Sequence, residues 1–416
     1  MFGFLIFVHE FGHYITARIC KVQINEFSLG MGPKIFGFRS KKTGILYALR
    51  LLPIGGYVSM EGENGNVEGI SSSKAPGENG NVEGISSFAT PGENGNVEGI
   101  SLSETPEENV NPEEEEKPFG IVKEKDAFTQ QAMEYRAKCE PFNKKSVWKR
   151  MLITVAGGVT NLIIGAIIMT AYILTTPAIG GTVVAEFAEN AVSVDQGLCE
   201  LDEIVSIDGT KVTTSTALLY EISQTGGEPC EVVINRGKYS FNEDNTKIIK
   251  DDEYEQMTLE ISFAPESEQG IVMGVADFTV YRVQKNFVNV VKQSWSHTVL
   301  AGKMVWESLV GLITGRYGLS AMSGPIGTGE VIGQAASYGI SQLLYLVALI
   351  SVNLGIANLL PIPALDGGRL TFQVIEVIRR KPVSERVEGI IHSVGIIVLM
   401  ALMLIIAMKD TIGLFN

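Results

Sequence analysis

The sequence predicts a polytopic α-helical membrane protein with about four transmembrane helices, a membrane-associated β-sheet and one extracytoplasmic β-rich domain. Three observations lead there. Apolar residues make up 45% of the 416 but collect in long runs, at 151–175, 343–360 and 389–408. Short glycine-punctuated pieces, FSLGMGPKIFGF and ILYALRLLPIGGYVSM, occupy 24–60. Between the first two long runs, residues 180–275 alternate apolar and polar side chains in segments separated by turn signals.

Each long run is enough to cross a hydrocarbon core of about 30 Å at 1.5 Å per helical residue. None carries the polar stripe of a helix packed inside a soluble protein, and their Gly and Ala content suits close helix packing in lipid. The N-terminal MFGFLIFVHEFGHYITA is a fourth candidate span of about minimal length. It lacks the basic region and small-residue cleavage site of a signal peptide, so it is read as retained. Lys and Arg cluster after this segment (Arg18, Lys21, Lys34, Arg39, Lys41, Lys42), before the second span (Lys144, Lys145, Lys149, Arg150) and between the last two (Arg379, Arg380, Lys381, Arg386). Such clusters mark cytoplasmic loops. Four crossings follow, with residues 177–340 and both termini outside.

The predicted organisation is a first span and β-hairpin region at 1–60, an insertion at 61–140, a second span at 141–178, the β-rich domain at 179–276, an amphipathic or peripheral helical region at 277–336, and two further spans at 337–416. The insertion holds a fifteen-residue repeat, GENGNVEGISS from Gly62 and Gly77 and GENGNVEGISL from Gly92, followed by the acidic tract 113–116. One Val and one Ile per repeat cannot offset the entropy of ordering, so the segment reads as disordered. In the β-rich part, TVVAEF, EIVSIDGTKV, CEVVINRGKYSF and MTLEISF are strand candidates. Residues 286–313 keep helical periodicity with polar interruptions, as in a helix lying along the membrane.

The formal charge of −14 lacks the basic face that nucleic acid requires, so no nucleic-acid partner is expected. The four cysteines, Cys20, Cys139, Cys199 and Cys230, have no metal-ligand spacing. They read as free thiols; a Cys199–Cys230 disulfide is conceivable on an oxidising side.

Chemistry enters with the histidines, of which there are four. His9-Glu10-Phe11-Gly12-His13 puts two imidazoles four apart, on one face of a helix. Such a pair binds one Zn²⁺, with the intervening Glu10 as general base for the attacking water. Two histidines and a glutamate inside a spanning helix are costly in hydrocarbon and need a purpose such as a metal. A catalytic zinc wants a third protein ligand and an open position. His297 and His392 are candidates without supporting context. Asp366 has context, in Asn358-Leu-Leu-Pro361-Ile-Pro363-Ala-Leu-Asp366-Gly-Gly at the end of an apolar run. The two prolines break the helix there, and unwound backbone at membrane depth must line a cavity or lie buried in protein.

HEFGH together with NLLPIPALDGG resembles the site-2 protease family of intramembrane zinc metalloproteases. The bacterial branch that cleaves anti-sigma factors and remnant signal peptides is the nearest in kind. FSLGMGP, LLPIGGYVSMEGE, WKRMLITVAGGVTNL, SGPIGTGE and SVNLGIANLLP extend the resemblance over nearly all of the chain except about 62–140. The resemblance implies that His9, His13 and Asp366 hold zinc, that Glu10 activates water, and that Asn358, with Pro361 and Pro363, helps hold the substrate backbone. It implies that 24–60 form a sheet whose edge receives an extended substrate, a form of strand addition. It makes the β-rich region a PDZ-like docking domain or size filter, with Leu201 where the family usually has glycine before Asp202. The implied partners are the lipid bilayer and single-pass membrane-protein substrates already trimmed by another protease. The implied location is the bacterial inner membrane. Two other readings compete: a catalytically silent scaffold whose PDZ-like domain binds extended tails, and an ion or metal transporter. The transporter reading lacks the internal symmetry common in that class.

Overall fold

The computed structural model describes residues 1–63, 128–241, 248–268, 271–315 and 324–413. Apart from the start of the first copy at Gly62, the repeats and the acidic tract 113–116 lie outside the described residues.

Helix α1, Phe2–Ile19, buries Leu5, Val8, Gly12 and Ala17 along one face. That face meets α3, Val147–Thr175, which at 29 residues is about 44 Å long. The two run antiparallel, since His13 contacts Ile153 whereas His9 contacts Asn161. Small residues permit the approach. A Cβ on Gly12 would fall 2.6 Å from the carbonyl oxygen of Ala156. Farther along α3, Gly158 and Gly355 face each other across the contact with α8, Ile340–Ala357, where added Cβ atoms would lie 2.9 and 2.8 Å from the opposing carbonyl oxygens. Close backbone packing of this kind replaces the hydrophobic drive that lipid cannot supply.

Strands β1, Ile24–Arg39, and β2, Leu46–Met60, pair antiparallel and fold back on themselves. Residues 26–29 register against 56–59 on one side and against 46–49 on the other, while 34–39 pair with 46–50. Segment 56–60 therefore has one side paired within the sheet and reaches toward α1, where Gly56 touches the Glu10 side chain.

The expectation of a disordered insertion out to residue 140 is corrected at its end. Helix α2, Gln130–Ala137, is capped by the Thr129 hydroxyl, buries Ala132, and sends Arg136 to Asn25 Oδ1 at 2.7 Å. A short helix with one buried alanine and a charged surface leaves little apolar periodicity to detect.

After α3 comes the β-rich domain: β3 Ile179–Phe187, α4 Val192–Asp195, β4 Glu203–Ile207, β5 Thr210–Lys211, α5 Ser215–Gln224, β6 Cys230–Arg236, β7 Tyr239–Phe241, β8 Ile248–Lys250, β9 Glu255–Ile261, β10 Ala264–Glu268, β11 Ile271–Val275 and β12 Phe278–Val283. The main sheet has the order β12-β3-β4-β6-β9, with β5 beside β4. Because β12 pairs with β3, the domain passes its expected limit at 276. Ile204, Leu218, Ile222, Val232, Ile234, Ile261 and Phe263 form its core, each such side chain contributing about 1.5–3 kcal/mol by leaving water. Leu201 adopts φ +69, a left-handed backbone that explains why glycine suits this position. All four cysteines are free. The buried Cys230 donates its thiol to the Ile261 carbonyl, and burial, with the Asp208 charge second, pushes that thiol up to about 11.

Helix α6, Phe287–Ile313, carries the domain back to the bundle. Lys303 pairs with Glu221 at 2.5 Å, Thr213 bonds Ser296 at 3.0 Å, and Tyr220 donates to Glu307 at 2.5 Å. Then follow α7 Pro325–Ser337, α8, α9 Asp366–Arg379 and α10 Glu385–Gly413. Among the described residues three helices, α3, α8 and α10, are long and apolar enough to cross a membrane, with mean hydropathies of 2.1, 1.9 and 2.8. Exposed Ile397, Met400, Leu404 and Met408 line α10. The chain is a multi-pass membrane protein with a β domain. α1 falls outside this set because His9, Glu10, His13 and Arg18 dilute its apolar character.

Asp202 in the β domain is 1% exposed and receives Arg236 through two hydrogen bonds, at 2.9 and 2.7 Å. Arg236→Ala leaves the carboxylate buried with the Cys199 amide as its remaining donor. The opening free energy of β3, β4 and β6, read by amide hydrogen exchange, is expected to fall by roughly 2–3 kcal/mol.

Candidate metal centre

His9 and His13 project from α1 toward α3, and both are buried. Their Nε2 atoms are 3.2 Å apart, and Asp366 Oδ2, at the first turn of α9, lies 3.0 Å from the first and 3.1 Å from the second. The three atoms form a nearly equilateral triangle. A tetrahedral zinc with bonds near 2.0–2.1 Å requires ligand atoms about 3.3 Å apart.

The outer ends of the rings decide which nitrogens are free. His13 Nδ1–H donates to the Ile153 carbonyl at 2.8 Å, leaving Nε2 as a bare lone pair. His9 Nδ1 lies 3.4 Å from the Asn161 amide nitrogen, while the buried Asn161 Oδ1 has no partner among the described residues. Rotating that amide by 180° gives His9 Nδ1–H a carbonyl acceptor and satisfies the orphan oxygen. Both Nε2 atoms then direct lone pairs at each other and at a carboxylate oxygen. That convergence is favourable only with positive charge among them, so the donor set fits a divalent metal.

The backbone makes room for it. A Cβ on Gly157 would lie 2.3 Å from His13 Nε2 and 2.7 Å from His9 Cε1. Asp366 is placed by a tightly closed turn: Gly367 N–H donates to the Asn358 carbonyl at 2.7 Å, and Gly368 N–H to Leu365 at 3.0 Å. A Cβ on Gly367 would sit 1.9 Å from the Leu360 oxygen, and one on Gly368 would sit 2.6 Å from the Ile362 oxygen. The Asp-Gly-Gly sequence is thus required by packing of the turn on itself. Helix α9 is tied to α3 by Arg150–Glu376 at 2.6 Å and Gln373–Thr154 at 2.9 Å.

A cavity of about 450 Å³ opens on this centre. Glu10 lines it, as do residues 57–60 of β2, the ion pair Glu63–Arg369, and His392. Asn358, Pro361 and Pro363 are outside its walls. Asn358 is buried at the end of α8, and the prolines belong to the turn. His297 is buried beside Tyr172, away from the donors. Sequence reasoning missed Gly157, Asn161, the Glu63–Arg369 pair and the role of His392. The one signal available was a polar asparagine inside the otherwise apolar 151–175 run.

Two histidines from one helix and an aspartate from another thus meet, inside a membrane protein, on a cavity that a glutamate also lines, a donor set that could hold a metal ion. The sequence model of Peptidase family M50 matches residues 1–402. The chain is 30% identical to the regulator of sigma-W protease RasP of Bacillus subtilis, over 100% of this chain and 97% of that one. It is 30% identical to the zinc metalloprotease RasP of Geobacillus kaustophilus, with 99% and 96% covered. It is 29% identical to the probable protease eep of Enterococcus faecalis, again with 99% and 96% covered. The chain belongs to peptidase family M50. It is a zinc metalloprotease of the site-2 type, acting on membrane proteins within the bilayer.

Gly157→Ala is expected to weaken zinc binding by more than about 100-fold, and Asn161→Ala by about 10–100-fold, the range of an outer-shell loss. Chelator competition on the detergent-solubilised protein measures both, with the size-exclusion profile unchanged.

Proposed function

We propose that His9, His13 and Asp366 are the zinc ligands and that Glu10 is the general base of peptide hydrolysis. The observation that carries this reading is the triangle of three donor atoms, 3.0–3.2 Å on a side, in one cavity with Glu10. When bound, zinc supplies a Lewis acid that polarises the scissile carbonyl. Glu10 takes the proton of the attacking water and delivers it to the departing amine. Residues 57–60 line the same cavity, so an extended substrate laid beside them can pair its backbone with the sheet. Asn358, Pro361 and Pro363 serve substrate binding by shaping the turn that borders this path.

In this reading α1 is a fourth crossing, inserted despite its polar residues because His9 and His13 face α3 and Glu10 faces the cavity. Both termini and the β domain lie outside the cytoplasmic membrane, the inner membrane of a bacterium. The β domain acts as a PDZ-like filter that admits single-pass substrates already shortened by another protease. The likeness to a Bacillus subtilis protease named as a regulator of sigma-W supports an anti-sigma factor as one substrate, with remnant signal peptides as a second class. A silent scaffold would have no need of three ligands, a base and a glycine cradle in one place.

Glu10→Gln is expected to retain stoichiometric zinc and to lose roughly 10²–10⁴-fold in cleavage rate, the range of general-base catalysis. Proteoliposomes holding a single-pass substrate measure it, and cleavage at the normal rate would refute the assignment. Asp366→Asn is expected to lose both zinc and cleavage.

A further inference from the structure

We infer that His392 is a positioning residue: from α10 it holds the backbone of Ala364 in the conformation that places Asp366. The inference rests on Asp366 being a zinc ligand.

Ala364 stands two residues before Asp366 and has φ +79, a left-handed conformation that side chains other than glycine rarely adopt. Such a residue is strained and persists where its surroundings hold it. The Ala364 N–H donates to His392 Nδ1 at 2.9 Å, across 28 positions of chain that include all of α9. Three residues further along the same face of α10, a Cβ on Gly395 would lie 2.5 Å from Pro363 Cβ and 2.9 Å from the Pro363 carbonyl carbon. One face of α10 therefore presses on the turn at two adjacent points, one a hydrogen bond and the other backbone contact.

The other nitrogen of His392 shows that this bond has a cost. With Nδ1 accepting, the ring proton is on Nε2, which is buried and has no hydrogen-bond partner among the described residues. A buried donor left without a partner is unfavourable, and an apolar side chain at this position would avoid it. The ring is steadied by Phe372 of α9, centroids 5.8 Å apart. Phe372 is itself on the helix that Asp366 begins, so ring, turn and ligand form one assembly. His392 is outside the donor triangle and acts on the metal through the turn.

The test compares His392→Asn, which keeps an acceptor near the Nδ1 position, with His392→Gln, which moves it one bond away. Full-length protein in detergent is stripped of metal and titrated with Co²⁺, read by its visible absorption bands. The Gln variant is expected to bind at least about 10-fold more weakly with reduced tetrahedral band intensity, and the Asn variant to stay within about 3-fold of wild type. Gly395→Ala, which pushes the turn without touching the histidine, is expected to weaken Co²⁺ as well. Ile397→Leu on the outer face of α10 is the control. Wild-type affinity and spectrum in the Gln variant, with Asp366→Asn impaired, would overturn the positioning role. Wild-type affinity in Asp366→Asn would overturn the ligand assignment instead.

Discussion

The structure is organised around the meeting of three lone pairs at the α1–α3–α9 junction. Two imidazole nitrogens and a carboxylate oxygen about 3 Å apart repel one another unless a cation lies among them. In a membrane interior the same groups would be costly even singly. The arrangement therefore favours a cation at its centre, and the surrounding features orient the donors toward it. Ile153 takes the proton-bearing side of His13, Asn161 stands at that of His9, and Gly157 leaves the space between open. Helix α3 works as the template, since it supplies the acceptor, the amide and the glycine from successive turns.

The aspartate side of the site is built by different means. The two histidines inherit their spacing from helix geometry, but Asp366 stands at a helix start reached through a broken segment. Its position depends on carbonyl contacts that tolerate only glycine at 367 and 368, and on a neighbouring alanine in an unfavourable conformation. Rigidity comes from helix ties to α3 and from the pressure of α10. A turn held so firmly fixes the carboxylate without metal, which reduces the ordering that binding must accomplish.

What could be read from the sequence follows from range. HExxH was legible because its chemistry lies within one helical turn. The long apolar runs were legible because they advertise their solvent by themselves, and α3, α8 and α10 fall on them. Asp366 was legible through the prolines and glycines that a broken intramembrane helix requires. Gly157 was not, since its meaning depends on the approach of His9 and His13 from another helix. The same holds for His392, which lacks any local pattern, and for α2, whose single buried alanine leaves no periodicity. β12 was assigned to the wrong side of a boundary because strand pairing with β3, about a hundred residues earlier, set the true limit.

The separation of the donors along the chain has a consequence for biogenesis. His13 and Asp366 are 353 positions apart, so the aspartate-bearing segment leaves the ribosome well after the histidines. Until then the nascent polypeptide offers only a two-imidazole half-site of weak affinity. It stays catalytically inert while its earlier segments pass through the translocon beside other unfolded membrane chains. Order of synthesis thus separates the appearance of the two imidazoles from completion of the three-donor set.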